Sequence, residues 1–83
     1  PGLPLVSLSQ AATDPAVEVV ISRISEQLQP DADLMHRLDA AGLRPGHRVR
    51  VAGAAGGVEV WVEGGARTSF DRDVADHVFV LVA

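Results

Sequence analysis

The sequence predicts a mainly β protein with one short helix, folded as a small barrel of five to six mostly antiparallel strands. Apolar and polar residues alternate over several short segments, which is the periodicity of half-buried strands. Turns rich in glycine or proline separate these segments. The core must be aliphatic, because 47% of the 83 residues are hydrophobic but only two are Phe, one is Trp and none is Tyr.

The first part of the chain predicts two strands. Residues 5–8 form a brief apolar segment, which we interpret as an edge strand, and the turn-forming sequence Ala-Thr-Asp-Pro follows at 12–15. Residues 16–24 are rich in β-branched side chains and predict a half-buried strand. Its core face would carry Val17, Val19 and Ile21.

A helix is predicted over residues 31–41. Asp31 or Asp33 can cap its start and place negative charge near the positive end of the helix dipole. Gly42 can adopt the left-handed conformation that commonly ends a helix, and Pro45 makes continuation unfavourable. Its apolar positions recur at helical spacing: Leu34, Met35, Leu38 and Ala41.

After His47 apolar and polar residues again alternate with a period of two, and this pattern predicts an antiparallel hairpin around the small-residue turn at 53–57. Its outward positions place Glu59 and Glu63 across from Arg48 and Arg50, where opposite charges help to fix the register. The predicted core residues of the hairpin are Val49, Val51, Val58, Val60 and Val62.

The remaining chain predicts a short strand at 68–70, one helical turn capped by Asp71, and a closing strand at 77–82. We interpret residues 1–4, Pro-Gly-Leu-Pro, as the tail of an interdomain linker and residues 5–83 as one domain. We therefore expect the chain to be one module of a longer protein.

Composition argues against several functions. The net charge is −4, and the seven basic residues, all Arg, form no run that could follow a nucleic-acid backbone. There is no Cys, so disulfides and thiolate chemistry are absent. No apolar run approaches the roughly 20 residues of a membrane span, which predicts a soluble protein. The serines lack a recognisable nucleophile context, and we expect no enzyme activity.

One candidate metal-binding pair precedes the helix. Glu26 offers a carboxylate and Gln29 an amide carbonyl, and such oxygen ligands suit Mn²⁺ or Fe²⁺. Spaced by three, they share a face if the local backbone is helical. Two oxygens form only part of a coordination shell, so other ligands would have to come from another domain or chain. The alternative is a solvated pair on a loop.

Other chemistry-bearing residues stand alone. His36, His47 and His77 could extend a metal shell, but each also fits a surface or packing role. Trp61 lies on the outward face of a predicted strand. It could contact a partner, or it could stack on Arg48 or Arg50 within the hairpin, which we favour.

The sequence from Glu26-Gln27-Leu28-Gln29 through the helix to Gly42-Leu43-Arg44-Pro45-Gly46 resembles the carboxy-terminal domain of the diphtheria-toxin-repressor family. The resemblance covers nearly the whole chain and continues through Ala55-Gly56-Gly57-Val58 and Asp76-His77-Val78-Phe79-Val80. It implies an SH3-like, also called FeoA-like, fold.

The resemblance also implies a function. In that family this domain follows a winged-helix DNA-binding domain and a dimerisation domain, and the cytoplasmic repressor acts as a homodimer. Glu26 and Gln29 would supply two ligands to an ancillary metal site that binds Fe²⁺ or Mn²⁺. The remaining ligands of that metal ion would come from the other domains of the repressor. DNA contact would come only from the amino-terminal domain, and the domain could also bind its own Pro-containing linker.

Two other functions remain open at this stage. A stand-alone FeoA-type accessory protein of ferrous iron transport would have the same fold. A module that binds Pro-rich peptides would use Trp61 and a groove for an extended ligand.

Overall fold

The computed structural model describes residues 5–83, so the predicted linker tail at 1–4 lies outside the described residues. In chain order the elements are β1 (Val6–Ser7), α1 (Leu8–Ala11), β2 (Val17–Ile24), α2 (Ala32–Ala40), β3 (Arg48–Ala54), β4 (Gly57–Trp61), β5 (Thr68–Asp71), α3 (Arg72–Ala75) and β6 (Val78–Val82). The six strands form one sheet in the order β1-β6-β2-β3-β4-β5, and neighbouring strands are antiparallel. The predicted fold class is confirmed.

The sheet curls into a half-open barrel around an aliphatic core. β1 and β5 are the end strands of the sheet, and α1 contacts β3, β4 and β6 as well as α3. Alternation along each strand turns every second residue inward. The buried apolar strand residues are Val19, Ile21, Val49, Val51, Val58, Val60, Phe70, Val78 and Val80.

The predicted edge strand at 5–8 is shorter in the structure. β1 contains only two residues, because Ser7 caps α1: its side chain accepts a hydrogen bond from the Gln10 backbone, and the Gln10 side chain accepts one from the Ser7 backbone. This capping box begins a helix where alternation suggested a strand. Leu8 is then fully buried as a helical residue.

Helix α2 packs against the core and confirms the predicted helix to within one residue at each end. Asp31 is its N-cap and accepts from the Leu34 backbone N–H at 3.0 Å. Leu34 and Leu38 are buried in the core. Gly42 has a φ of +89°, which lets Leu43 turn back and donate to the Leu38 carbonyl at 2.9 Å. Among residues 5–83, no helix is long and apolar enough to cross a membrane.

The hairpin of β3 and β4 has the predicted alternation, with one error at its end. Val62 was expected in the core but is 46% exposed, since β4 ends at Trp61 and the chain leaves the barrel there. Val62 lies close to Gly42, where an added Cβ would come within 2.7 Å of its Cγ2 atom. It therefore packs at the rim rather than inside.

The charge pairing across the hairpin is only partly as predicted. Arg50 donates to Glu63 at 2.7 Å, and this hydrogen bond, together with charge attraction, raises the pKa of Arg50. Arg48 instead donates to Glu18 at 2.8 Å. The reason is that β3 also pairs with β2, a contact between distant segments that the hairpin pattern did not include.

Candidate functional site

The predicted metal-binding pair lies on the loop between β2 and α2. The loop is built from short turns rather than from an α-helix: the Leu28 backbone N–H donates to the Ser25 carbonyl at 3.1 Å, and that of Gln29 donates to the Glu26 carbonyl at 3.2 Å. The second bond holds Glu26 and Gln29 side by side along the backbone. The condition under which spacing by three puts the two side chains on one face, a helical backbone, is not met here, and a backbone hydrogen bond of a turn links the two residues instead.

Two contacts fix this loop to the barrel. The Ser25 backbone N–H donates to the His77 carbonyl at 2.8 Å, which ties the start of the loop to the entrance of β6. Leu28 is half-buried and packs against the core. Because the chain turns between these anchors, Glu26 and Gln29 are left exposed to solvent.

The donor atoms of the pair are defined by the hydrogen bonding of Gln29. Its side-chain nitrogen donates to the Ile24 carbonyl at 3.1 Å, so the carbonyl Oε1 is the atom left to face a cation. With a carboxylate oxygen of Glu26, it supplies two hard donors of the kind that Fe²⁺ and Mn²⁺ accept. The assignment of these two residues to a metal site stays a prediction.

The three histidines do not complete a metal shell in the described part of the chain. His36 is exposed on α2, and His47 is exposed before β3. The Nδ1 atom of His77 lies 2.7 Å from the carbonyl oxygen of Asp73 and can donate a proton to it. Among residues 5–83, no three His, Cys, Asp or Glu side chains are grouped so that they could hold a metal ion. Glu26 and Gln29 by themselves supply two oxygen donors, which is only part of a coordination shell.

A metal titration follows from this donor set. We expect the 83-residue chain alone to bind Mn²⁺ with a dissociation constant of roughly 1 mM or weaker, because two oxygen ligands leave most of the coordination shell to water. Isothermal titration calorimetry measures this directly. Saturable binding in the micromolar range would contradict a shared site.

Trp61 takes part in a contact within the protein, but not with the predicted arginines. The guanidinium of Arg67 lies 4.1 Å from the centre of the Trp61 ring, and Arg67 also pairs with Glu59 at 3.5 Å. The alternation within the β3–β4 hairpin gave no indication of Arg67, because Arg67 lies outside the hairpin, just before β5. The contact could have been found from the pairing of β4 with β5, in which Val60 opposes Thr68. Trp61 follows Val60 and Arg67 precedes Thr68, so the two side chains lie across from each other.

The architecture is that of a small SH3-like barrel module, with a helix packed against its core and an exposed oxygen-donor pair on the loop before that helix. The FeoA domain model matches residues 6–82, and the chain therefore belongs to the FeoA domain family.

A solved structure supports the same fold. The crystal structure of an iron uptake regulatory protein (FeoA) superimposes with a TM-score of 0.73 at 23% sequence identity, covering 98% of this chain and 100% of that chain. At this identity the likeness establishes the fold alone. No curated protein matches the chain.

Proposed function

We propose that this protein is a regulatory docking module of iron uptake, which acts by binding another protein and not by catalysis. The match to the FeoA domain covers nearly the whole chain, and the solved structure with the same fold is described as an iron uptake regulatory protein. The observation that carries the proposal is the exposed pair Glu26 and Gln29, which offers two metal ligands without the rest of a shell.

Glu26 and Gln29 would act at the contact with the partner. Their oxygens would occupy part of a coordination shell whose other ligands belong to that partner, and a divalent cation would supply the positive charge between the two donor sets. Since such a shell is complete only in the complex, metal binding and docking favour each other. Ser25 and Leu28 hold the loop in place, so little backbone ordering is needed on binding.

The test replaces both ligands in the native cell. We expect Glu26→Ala with Gln29→Ala to reduce ferrous iron uptake at limiting iron, measured with radioactive iron, because the shared shell loses its two oxygens from this chain. Both side chains are exposed, so the fold should persist. The matched control is Gln27→Ala, an exposed neighbour in the same loop. Equal uptake by the double variant and the control would refute the proposal.

A second candidate function is favoured by the Glu26-x-x-Gln29 pair and the Gly42-to-Gly46 turn, both of which resemble the diphtheria-toxin-repressor family. In this case the chain is the carboxy-terminal domain of a cytoplasmic, homodimeric repressor. The partner is then the amino-terminal and dimerisation part of the same protein, and residues 1–4 end the linker between them. DNA contact belongs to the amino-terminal domain.

The repressor candidate has its own test. If the complete coding sequence contains a winged-helix domain, operator binding by the intact protein should require more metal after both Glu26→Ala and Gln29→Ala are introduced. Fluorescence anisotropy of labelled operator DNA measures this shift. A coding sequence without a winged helix rejects this candidate and leaves the iron-uptake module.

A further inference from the structure

The outer face of the sheet carries apolar side chains where β1, β6 and β2 lie side by side. Val20 of β2 opposes Leu81 of β6 in the register. Leu5 precedes Val6, which opposes the buried Val80, so alternation places Leu5 beside Leu81 on the face away from the core. Phe79 lies on the same face, two residues before Leu81. These four residues, Leu5, Val20, Phe79 and Leu81, form the apolar row.

The apolar row is not part of the core. Leu5 is 45% exposed, and the other three side chains are half-buried although they face away from the barrel interior. A sheet with one face in water usually carries polar residues on that face. The outer positions of β3 follow this rule with Arg48 and Arg50. A contiguous apolar strip beside a charged one is typical of an interaction surface.

Arginines border the apolar row. The guanidinium of Arg23 lies 4.7 Å from the centre of the Phe79 ring, and within residues 5–83 Arg23 forms no ion pair. On the β3 side, Arg48 opposes Val20 directly. A surface depression of about 310 Å³ adjoins the row at this point, and it is lined by Glu18, Arg48, Val49, Arg50, Val62 and Glu63.

The charge of this region is opposite to that of the whole protein. The depression and Arg23, which lies over the row at Phe79, together carry three arginines against two glutamates, whereas the chain as a whole has a net charge of −4. Of these three arginines, Arg23 is the one that forms no ion pair within residues 5–83. A carboxylate that approached over Phe79 could pair with it in a partly desolvated position, where ion pairing is stronger than in bulk water.

We propose that the apolar row docks an acidic amphipathic segment of a partner protein, with apolar side chains against Val20, Phe79 and Leu81 and a carboxylate on Arg23. A second copy of this chain is a poorer occupant, since self-pairing of the face sets arginines against arginines between two molecules that are both acidic. This surface uses other side chains than Glu26 and Gln29 and needs no metal. The inference therefore goes beyond the proposed function, and either can fail alone.

The test uses a short amphipathic helical peptide with a leucine face bordered by glutamates, and a control peptide with lysines in their place. We expect the glutamate peptide to shift the backbone amide resonances of Val20, Arg23, Phe79 and Leu81, and the lysine peptide to leave them unchanged. If net charge alone governed binding, the lysine peptide would bind better than the glutamate peptide, because an acidic protein attracts a basic peptide. Equal shifts with both peptides, or shifts confined to other residues, would overturn the inference.

Two variants sharpen the test. Leu81→Gln should weaken binding of the glutamate peptide about tenfold, and Arg23→Glu should abolish the preference for glutamate over lysine. Arg23 is exposed, so its variant stays folded even if Leu81→Gln does not. The matched control, Ser69→Gln, changes an exposed residue on β5 and should bind like the parent. Sedimentation equilibrium tests for the other occupant: a dimer that Leu81→Gln dissociates would show that the row binds a second copy and would refute the proposal.

Discussion

Replacing Gly57 by alanine is expected to destabilise the protein by about 3 kcal/mol or more. A Cβ atom at Gly57 would overlap the Phe70 carbonyl oxygen and lie 2.8 Å from the Asp71 Cα atom. Both are backbone atoms of β5, and Gly57 opposes Asp71 in the β4–β5 ladder, so no side-chain rotation relieves the overlap. The two strands must separate. Urea unfolding followed by the fluorescence of Trp61, the single tryptophan, measures the loss.

The control for Gly57→Ala comes from the same hairpin. A Cβ at Gly53 would meet no atom within 4 Å. We therefore expect Gly53→Ala to change the free energy of unfolding by less than about 0.5 kcal/mol. If the two variants unfolded at the same urea concentration, the result would contradict a close approach of β4 and β5 at Gly57.

Replacing Leu38 by alanine is expected to cost about 3 kcal/mol and, for a domain of this size, to lower the melting temperature by roughly 15 °C. Leu38 is fully buried, and together with Leu34 it attaches α2 to the core. Truncating it leaves a cavity under the helix. The guanidinium of Arg37, 5.4 Å from the centre of the Phe70 ring, adds only a weak attachment on the exposed side.

His36→Ala is the control for Leu38→Ala. It lies on the same helix but is exposed. Its effect on thermal unfolding, measured by circular dichroism, should stay within about 0.5 kcal/mol. A similarly small effect of Leu38→Ala would mean that α2 contributes little to the core.

Local patterns predicted most elements of this fold. The alternation of Val49 and Val51 with arginines, and the capping of α2 by Asp31 and its termination at Gly42, depend on residues close together in sequence. Such patterns define which side chains face inward, because a strand or helix has a fixed period. The errors occurred at element ends: Leu8 joined a helix, and Val62 left the core.

The surroundings of the candidate site were harder to predict. The sequence indicated Glu26 and Gln29 as a candidate pair, but it could not predict the anchoring of their loop by the His77 carbonyl, since that bond joins residues far apart in the chain. The same holds for Arg48 at Glu18. Arg67 is close to Trp61 in sequence, but it meets the Trp61 ring only because β4 pairs with β5. Long side chains reach across neighbouring strands, and the choice of neighbour is set by sheet order.

The sequence by itself determined the class of fold and its largely aliphatic core, because alternation and capping are properties of short segments. Tertiary structure alone decided which strands became neighbours, and with them the arginine partners and the apolar row of Leu5, Val20, Phe79 and Leu81. The apolar row arises from pairing β6 with both β1 and β2, and the arginine partners arise from pairing β2 with β3 and β4 with β5. Pairing between distant strands is selected by the free energy of the whole barrel, which no single segment encodes.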